Sequence, residues 1–189
     1  MIEVQIPDIA DEERQVVSRM AAGERAALAE LYATHRSALL AYLRALVDDP
    51  GLAEEVLQDT LYAAWVGAGS FAHRSSVRVW LLGIARRRAH DALRRRTIHL
   101  VAGEELAGHP APDPEPESLA IAGVEQDTLR AALMRLRPIH REVLILNFMQ
   151  ELPYRSIAEV LGVPIGTVMS RLHHAKQALR AELDAETWP

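Results

Sequence analysis

A high density of arginine marks the middle of the chain. Between residues 74 and 96 the basic side chains are Arg74, Arg78, Arg86, Arg87, Arg88, Arg94, Arg95 and Arg96, against the single acid Asp91. Two arginine triplets cover most of the circumference of a helix, so this half of the helix cannot be hydrophobic core. Guanidinium groups bind phosphate oxygens well, and a dense cluster favours a polyanion as partner. The segment is therefore a candidate for binding nucleic acid.

A second candidate lies near the C-terminus, where residues 154–175 are YRSIAEVLGVPIGTVMSRLHHA. The spacing is typical of a helix-turn-helix: Ala158 lets the two helices approach, Gly162 takes the turn, and Val163 and Val168 close a small core. On this motif alone, an ordinary pair of antiparallel helices with a solvated basic face stays open as the alternative.

The second helix of this motif has no acid among its predicted exposed positions. Those positions are Thr167, Met169, Ser170, Arg171, His174 and Lys176. Such a helix enters the major groove with its N-terminal residues at base edges and its basic residues on phosphates. We expect these six residues to contact duplex DNA.

Histidines are the remaining residues that could act chemically. His173 and His174 are adjacent and point about 100° apart on a helix, and His35 and His90 are the other candidates. No carboxylate stands at metal-ligand spacing beside the histidine pair, and the sequence has no glycine-rich phosphate loop, nucleophile motif or cysteine. We expect no catalytic residue, metal or cofactor, and an enzyme is the weaker alternative.

The composition indicates a folded, cytoplasmic protein. The chain has 189 residues, 49% of them hydrophobic and 25% charged, and its apolar runs are far shorter than the roughly 20 residues that span a bilayer. Residues 1–10 lack the order of a secretory signal. The net charge of -5 conceals an uneven distribution of charge along the chain. Residues 1–60 hold twelve acids and five arginines, whereas residues 74–96 hold eight arginines and one acid. We expect no regulatory domain after the final helix, since the sequence ends at Pro189.

The pattern of apolar residues predicts an all-α fold with two small helical domains joined by a flexible acidic linker. Predicted helices cover residues 24–47, 52–66, 77–96 and 138–148, followed by the helix-turn-helix. The predicted division is an N-terminal helical bundle at 1–97, a linker at 98–123 and a C-terminal domain at 124–189. Proline, glycine and acids alternate in the linker.

Three stretches together resemble the two conserved domains of extracytoplasmic-function sigma factors of the sigma-70 family. They are AALAELYATHRSALLAYLRALVDDPGLAEEVLQDTLYAAW, VWLLGIARRRAHDALRRR and LRPIHREVLILNFMQELPYRSIAEVLGVPIGTVMSRLHHAKQALR. The likeness covers most of residues 25–97 and 125–183. It implies that the chain binds core RNA polymerase and directs transcription initiation at promoters, by recognising and melting the −10 region and by reading the −35 duplex.

The resemblance also implies roles for particular residues. The helix at 53–65 would dock on the clamp helices of the largest polymerase subunit, through Glu54, Glu55, Gln58 and Asp59. The loop and helix that follow would capture the −10 region, through Phe71, Arg74, Arg78, Trp80, Arg86, Arg87 and Arg94. The six residues of the second helix-turn-helix helix would contact the −35 duplex.

Other partners follow from the same resemblance. The flap of the second-largest polymerase subunit is a further expected contact, and an anti-sigma factor is an expected regulator that would hold the chain in the cytoplasm or at the membrane, without membrane insertion. The linker would thread toward the polymerase active site, although a simple tether explains its composition equally well. By helical spacing Trp80 suits either a wedge at the upstream edge of the melted bubble or a core position.

Two departures from the family pattern concern base recognition. Met169 and His174 stand where the family often has basic residues, which leaves the −35 preference undetermined. A conventional dimeric helix-turn-helix regulator is the main alternative for the whole chain. It would bind a palindromic duplex alone, whereas a sigma factor requires core polymerase and a −35/−10 pair.

Overall fold

The computed structural model describes residues 9–47, 49–101 and 120–187, and side chains over 10–47, 49–98 and 128–184. The helices in these ranges are α1 Ile9–Ala21, α2 Arg25–Leu46, α3 Pro50–Gly67, α4 Val77–Val101, α5 Ala120–Arg135, α6 Pro138–Leu144, α7 Tyr154–Leu161 and α8 Ile165–Thr187. A 3₁₀ turn, Ala68–Ser70, follows α3, and a π-helical turn, Ile145–Met149, continues α6. The predicted all-α fold is confirmed.

Helices α1 to α4 form the N-terminal half around an apolar core. α2 contacts α1, α3 and α4, and α3 packs along α4. The largest fully buried apolar side chains of α2, α3 and α4 are Leu31, Leu39, Leu43, Leu57, Leu81 and Leu82. Each side chain of this size stabilises the fold by about 1.5–3 kcal/mol relative to an exposed position.

Side-chain caps fix where α3 and α4 begin. The Asp49 carboxylate accepts a hydrogen bond from the backbone N–H of Leu52 at 3.1 Å, and Pro50 occupies the first turn of α3. That bond, helped by the Arg96 guanidinium 2.8 Å away, lowers the pKa of Asp49. Ser76 Oγ accepts from the N–H of Val79 at 3.3 Å at the start of α4. Both caps satisfy N–H groups that lack partners within the helix.

Helices extend into both ends of the predicted linker. α4 continues to Val101 and α5 begins at Ala120, so both ends of the predicted 98–123 linker are helical. The helix persists because the first helix-breaking residue after the arginines is Gly103. The acidic, proline-rich middle of the predicted linker, residues 102–119, lies outside the described residues.

Helix α1 was absent from the predicted elements. Asp11 and Glu12 lie in its first turn and Arg19 in its last, an order that complements the helix dipole. Val17 and Met20 are buried against the rest of the N-terminal half. α1 thus contributes apolar side chains to the core that α2 and α3 also line.

The C-terminal half contains α5 to α8 and packs directly on the N-terminal half. α8 contacts α5, α6 and α7, while α7 contacts α4 and the π-helical turn contacts α2. The buried residues of both halves form one continuous apolar cluster. Among the residues with a described placement, none of the helices is long and apolar enough to span a membrane.

Candidate nucleic-acid interfaces

The acidic residues predicted to bind polymerase lie together on one face of α3. Glu55 and Gln58 are exposed, and Glu54 and Asp59 are half-buried. The Glu54 carboxylate lies 3.5 Å from a guanidinium nitrogen of both Arg36 and Arg44 on α2, while the apolar residues of α3 face the core. The face therefore offers a compact negative surface on a rigid helix.

Phe71 and Trp80 form an aromatic step between the 3₁₀ turn and α4. Their rings stack with centroids 4.6 Å apart and planes at 29°. Trp80 is half-buried and touches the core, yet it also lines a pocket of 290 Å³ together with Gly67, Arg87 and Arg88. One side of Trp80 therefore packs on the core, and the other side lines the pocket, where a ligand can reach it. The core position that helical spacing allowed is thus compatible with a position at a binding surface.

The loop that leads to this aromatic step is held in a strained conformation. His73 has φ of 55°, in the left-handed region that residues other than glycine rarely adopt. Its ring centroid lies 4.7 Å from that of Phe71. A strained backbone beside half-buried aromatic rings is a feature of binding sites.

The arginines predicted to contact DNA fall into two groups. Arg74, Arg87 and Arg94 are exposed, and Arg87 lines the pocket beside Trp80. Arg94 has a weak surface ion pair with Asp91 at 3.6 Å. These side chains are available to phosphates.

Arg78 and Arg86 belong to the second group, since both bind the C-terminal half. Arg78 Nη2 donates to Gln150 Oε1 at 3.0 Å. Arg86 donates from Nε and Nη2 to the two carboxylate oxygens of Glu142 at 2.8 and 3.4 Å. These bonds use one donor nitrogen of Arg78 and two of Arg86.

Glu142 is buried where it meets the N-terminal half, with 3% of its surface exposed. The Tyr42 hydroxyl donates to Oε1 at 3.2 Å, and His90 Nε2 lies 3.4 Å from the same oxygen. Burial alone would raise the pKa of Glu142, but the contacts with His90 and Arg86 outweigh it, and the pKa is lowered overall. Burial raises the pKa of Tyr42, which keeps its hydroxyl protonated as a donor.

Sequence reasoning missed Tyr42, Glu142 and Gln150 as interface residues. Their partners lie 52 to 112 positions away along the chain, and helical periodicity carries no information about such contacts. A polar residue between apolar ones, as in REVLIL, was the one available indication.

The helix-turn-helix has the predicted geometry. Gly162 ends α7 with φ of 65° and ψ of 37°, the left-handed conformation that glycine adopts without strain. Ile157 and Val168 are fully buried between α7 and α8. The carbonyl of Pro164 accepts from the N–H groups of Thr167 and Val168, which starts α8.

The six residues predicted to contact the −35 duplex divide between two sides of α8. Thr167, Ser170, Arg171 and His174 recur at steps of three and four residues and share one face, whereas Met169 and Lys176 lie seven residues apart on a flank. Lys176 Nζ sits 5.3 Å from the ring centroid of Phe148. Thr167 and Arg171 are half-buried, and the other four are exposed.

The four candidate histidines lie in three separate places. His35 Nε2 lies 3.2 Å from the Glu13 carboxylate, and His90 contacts Glu142. The rings of His173 and His174 meet edge to face at 5.5 Å. Within the described ranges, no three histidine, aspartate or glutamate side chains are grouped as metal ligands.

Comparison with protein families gives two matches on these same segments. Residues 31–98 match the model for sigma-70 region 2, and residues 126–179 match the model for sigma-70 region 4. The first match contains the acidic face, the aromatic step and the arginines, and the second contains the helix-turn-helix.

Comparison with individual proteins points to the same family. The chain is 33% identical over 169 residues to the ECF RNA polymerase sigma factor SigL of Mycobacterium tuberculosis, covering 88% of this chain and 94% of SigL. It is similar to CnrH, solved with the cytosolic domain of CnrY, at 25% identity and a TM-score of 0.70 over 92% of this chain and 97% of CnrH, a protein of Cupriavidus metallidurans. It is also similar to RpoE of Bartonella quintana, solved with the anti-sigma factor NepR, at 29% identity and a TM-score of 0.67 over 82% and 95%. The chain therefore belongs to the sigma-70 family of RNA polymerase sigma factors, in its extracytoplasmic-function group, and directs promoter-specific transcription initiation.

Proposed function

We propose that the N-terminal half binds core RNA polymerase and the −10 strand, and that the C-terminal half binds the −35 duplex. The proposed domains are residues 1–97 and 124–189, coupled by the segment 98–123. The observation that carries the proposal is the location, on one rigid four-helix unit, of an acidic face on α3 and an aromatic, arginine-lined pocket beside α4. Sigma factors as a family are not enzymes, and none of these surfaces is assigned a catalytic role.

The acidic face of α3 is proposed to bind the clamp helices of the largest polymerase subunit. Glu55, Gln58 and Asp59 supply charge and hydrogen-bond acceptors to a basic partner, and Glu54 keeps this face oriented through Arg36 and Arg44. Charge complementarity of this kind raises the association rate and selects the partner.

The aromatic step and its pocket are proposed to hold the −10 strand after it separates from the duplex. Strand separation needs a surface that binds unpaired bases better than the duplex does. The Phe71–Trp80 pair supplies a stacking platform beside the pocket, and the exposed Arg74, Arg87 and Arg94 supply phosphate contacts.

Helix α8 is proposed to read the −35 duplex with the face formed by Thr167, Ser170, Arg171 and His174. Met169 and Lys176 on the flank are assigned contacts at the edge of the groove. The flap of the second-largest polymerase subunit is the proposed partner of the rest of the C-terminal domain.

An anti-sigma factor is the proposed regulator, and the cytoplasm is the proposed site of action. The support is that two similar solved structures are complexes, CnrH with the cytosolic domain of CnrY and RpoE with the anti-sigma factor NepR.

Run-off transcription with purified core polymerase tests the proposal. Core plus this chain should give promoter-dependent products from a genomic library, and core alone should not. Reversal of the acidic face by Glu55→Lys with Asp59→Lys should abolish the products and the binding to core, while the control Glu182→Lys on α8 should retain both. Binding of the chain alone to a palindromic duplex, with no product in the presence of core, would instead identify a conventional regulator.

A further inference from the structure

The polar face of α8 contains a histidine. His174 is exposed and shares this face with Thr167, Ser170 and Arg171. A neutral imidazole donates one hydrogen bond and has no charge, whereas a protonated imidazole donates two and is a cation. Histidine is the side chain whose ordinary pKa places this change between about pH 5 and pH 8. The positive charge that this face presents to DNA therefore depends on pH.

Other basic side chains lie near His174, where α6 packs on α8. Arg137 directly precedes α6, and His140 lies in the first turn of that helix. Burial lowers the pKa of His140, and the positive charges of Arg137, His174 and Arg171 lower it further. These side chains are thus close enough to act on one another's charge. We call Arg137, His140, Arg171 and His174 the α6–α8 basic cluster.

The α6–α8 basic cluster is surrounded by cations. Among the described residues, every charge that acts on His140 is positive. On the other elements packed against α8, Glu159 of α7 is paired with Arg155 at 3.9 Å, and Arg135 of α5 is paired with Glu182 at 2.9 Å. A carboxylate beside an imidazole would stabilise its proton with or without DNA. In this cluster the compensating anion is instead a phosphate of the bound duplex.

The neighbouring histidine provides an internal reference. His173 is also exposed, and its ring meets that of His174 edge to face, with centroids 5.5 Å apart. Successive residues of a helix point about 100° apart, so His173 lies off the face that contains Arg171 and His174. The two histidines therefore share an environment but differ in what they present to the duplex.

We propose that His174 makes −35 recognition by this chain dependent on protons: the protonated imidazole binds a DNA phosphate beside Arg171, and the neutral imidazole does not. Binding of the duplex is then coupled to proton uptake by the α6–α8 basic cluster, and the affinity rises as the pH falls. This inference rests on the proposed function, since it requires that α8 binds the −35 duplex.

Titration of the full chain with a fluorescent −35 duplex tests the proposal, with the duplex taken from a promoter that the holoenzyme transcribes. Anisotropy at about pH 6 and about pH 8, at fixed ionic strength, gives the two affinities. The parent should bind about tenfold tighter at the lower pH, the size of one hydrogen bond to a charged group. Its salt dependence should also be steeper there, by about one phosphate contact.

Three variants locate the proton. His174→Arg keeps a charge at both pH values, so it should bind tightly at both, with less than about a twofold difference. His174→Gln has no charge at either pH and should bind weakly at both. His173→Gln is the matched control and should keep the parent's tenfold dependence. Circular dichroism at both pH values verifies folding, and the His174→Gln result suffices if His174→Arg does not fold.

Calorimetry in two buffers with different heats of ionisation provides a second readout, because it counts the protons taken up when the duplex binds. The parent should take up protons near neutral pH, and His174→Arg should take up far fewer. Equal affinity of the parent at both pH values, or a tenfold dependence that survives in His174→Gln, would overturn the inference even if run-off transcription succeeds. Absence of both −35 binding and promoter-dependent product would instead overturn the proposed function.

Discussion

The arginine-rich side of α4 and the polar face of α8 carry similar chemistry but differ in what surrounds them. The α8 face rests on a core within its own domain, where Ile157 and Val168 are fully buried. The α4 side is shared, since Arg78 and Arg86 are bonded to Gln150 and Glu142 from the other half of the chain. Local packing thus suffices for one DNA surface, whereas the availability of the other depends on how the two halves meet.

Removal of the local core beneath α8 should have the largest effect. Ile157→Ala should destabilise the C-terminal half by about 2–5 kcal/mol, because it opens a cavity in a small core. Urea unfolding with hydrogen exchange of α7 and α8 measures this, and −35 duplex binding should fall with it.

Ile165→Ala is the matched control, because Ile165 is 50% exposed at the start of α8. It should change the free energy of unfolding by less than about 0.5 kcal/mol. Equal losses in the two variants would contradict a recognition face supported by the buried core.

Loss of the aromatic step should have the next largest effect, confined to the −10 strand. Trp80→Ala should weaken binding of a single-stranded −10 oligonucleotide by about 1–3 kcal/mol, the usual contribution of one stacked base. Fluorescence anisotropy measures it. Trp80→Phe should restore most of the affinity, and Tyr62→Ala, at an exposed aromatic position on α3, should leave it unchanged. An equal loss in Tyr62→Ala would argue against stacking on this step.

On α8, the polar face should contribute more to −35 duplex binding than the surface near the C-terminal end of the helix. Arg171→Ala should weaken −35 duplex binding by about 1–3 kcal/mol if the guanidinium binds a base edge, and by less, with a smaller salt dependence, if it binds only phosphate. Affinity at two salt concentrations separates these cases. Arg180→Ala, 85% exposed and paired with Asp184 at 3.7 Å, is the control and should have little effect.

The cap of α3 should give the smallest effect, and one that depends on pH. Asp49→Ala should lower stability by about 0.5–2 kcal/mol near neutral pH. Because folding lowers the pKa of Asp49, its contribution is full above the ordinary value of 3.8 and is lost as pH falls through the lowered value.

Urea unfolding near neutral pH and in acid measures the difference between this variant and the parent. The difference should shrink in acid. A difference that stays constant, or one matched by Asp91→Ala on the exposed side of α4, would rule out the cap.

Much of the fold was predictable because its determinants are local. Apolar repeats and the caps place α2 and α3 within about two residues of their predicted bounds, and Gly162 marks the turn before α8. Periodicity predicted that the arginine half of α4 lies outside the core, and this was wrong in part, because Ala89 and Ala92 of that half are buried in the core while most of the arginines between and after them are exposed.

The remainder depends on residues far apart in sequence. Nothing local distinguishes Arg86, which binds Glu142, from Arg87, which stays exposed one position later. Likewise, the contacts of Gln150, which follows the π-helical turn, are with Ala38 and Arg78 of the other half. Such contacts arise only when complete helices pack together.

Footprinting of one promoter by the reconstituted polymerase tests the division between the two surfaces most directly. With the parent chain, the −35 duplex should be protected and thymines of the −10 region should become reactive to permanganate. Trp80→Ala should keep −35 protection and lose the reactive thymines, and Arg171→Ala on a pre-melted template should do the reverse. Loss of both signals together in either variant, with the protein folded and bound to core, would contradict the assignment of separate roles to α4 and α8.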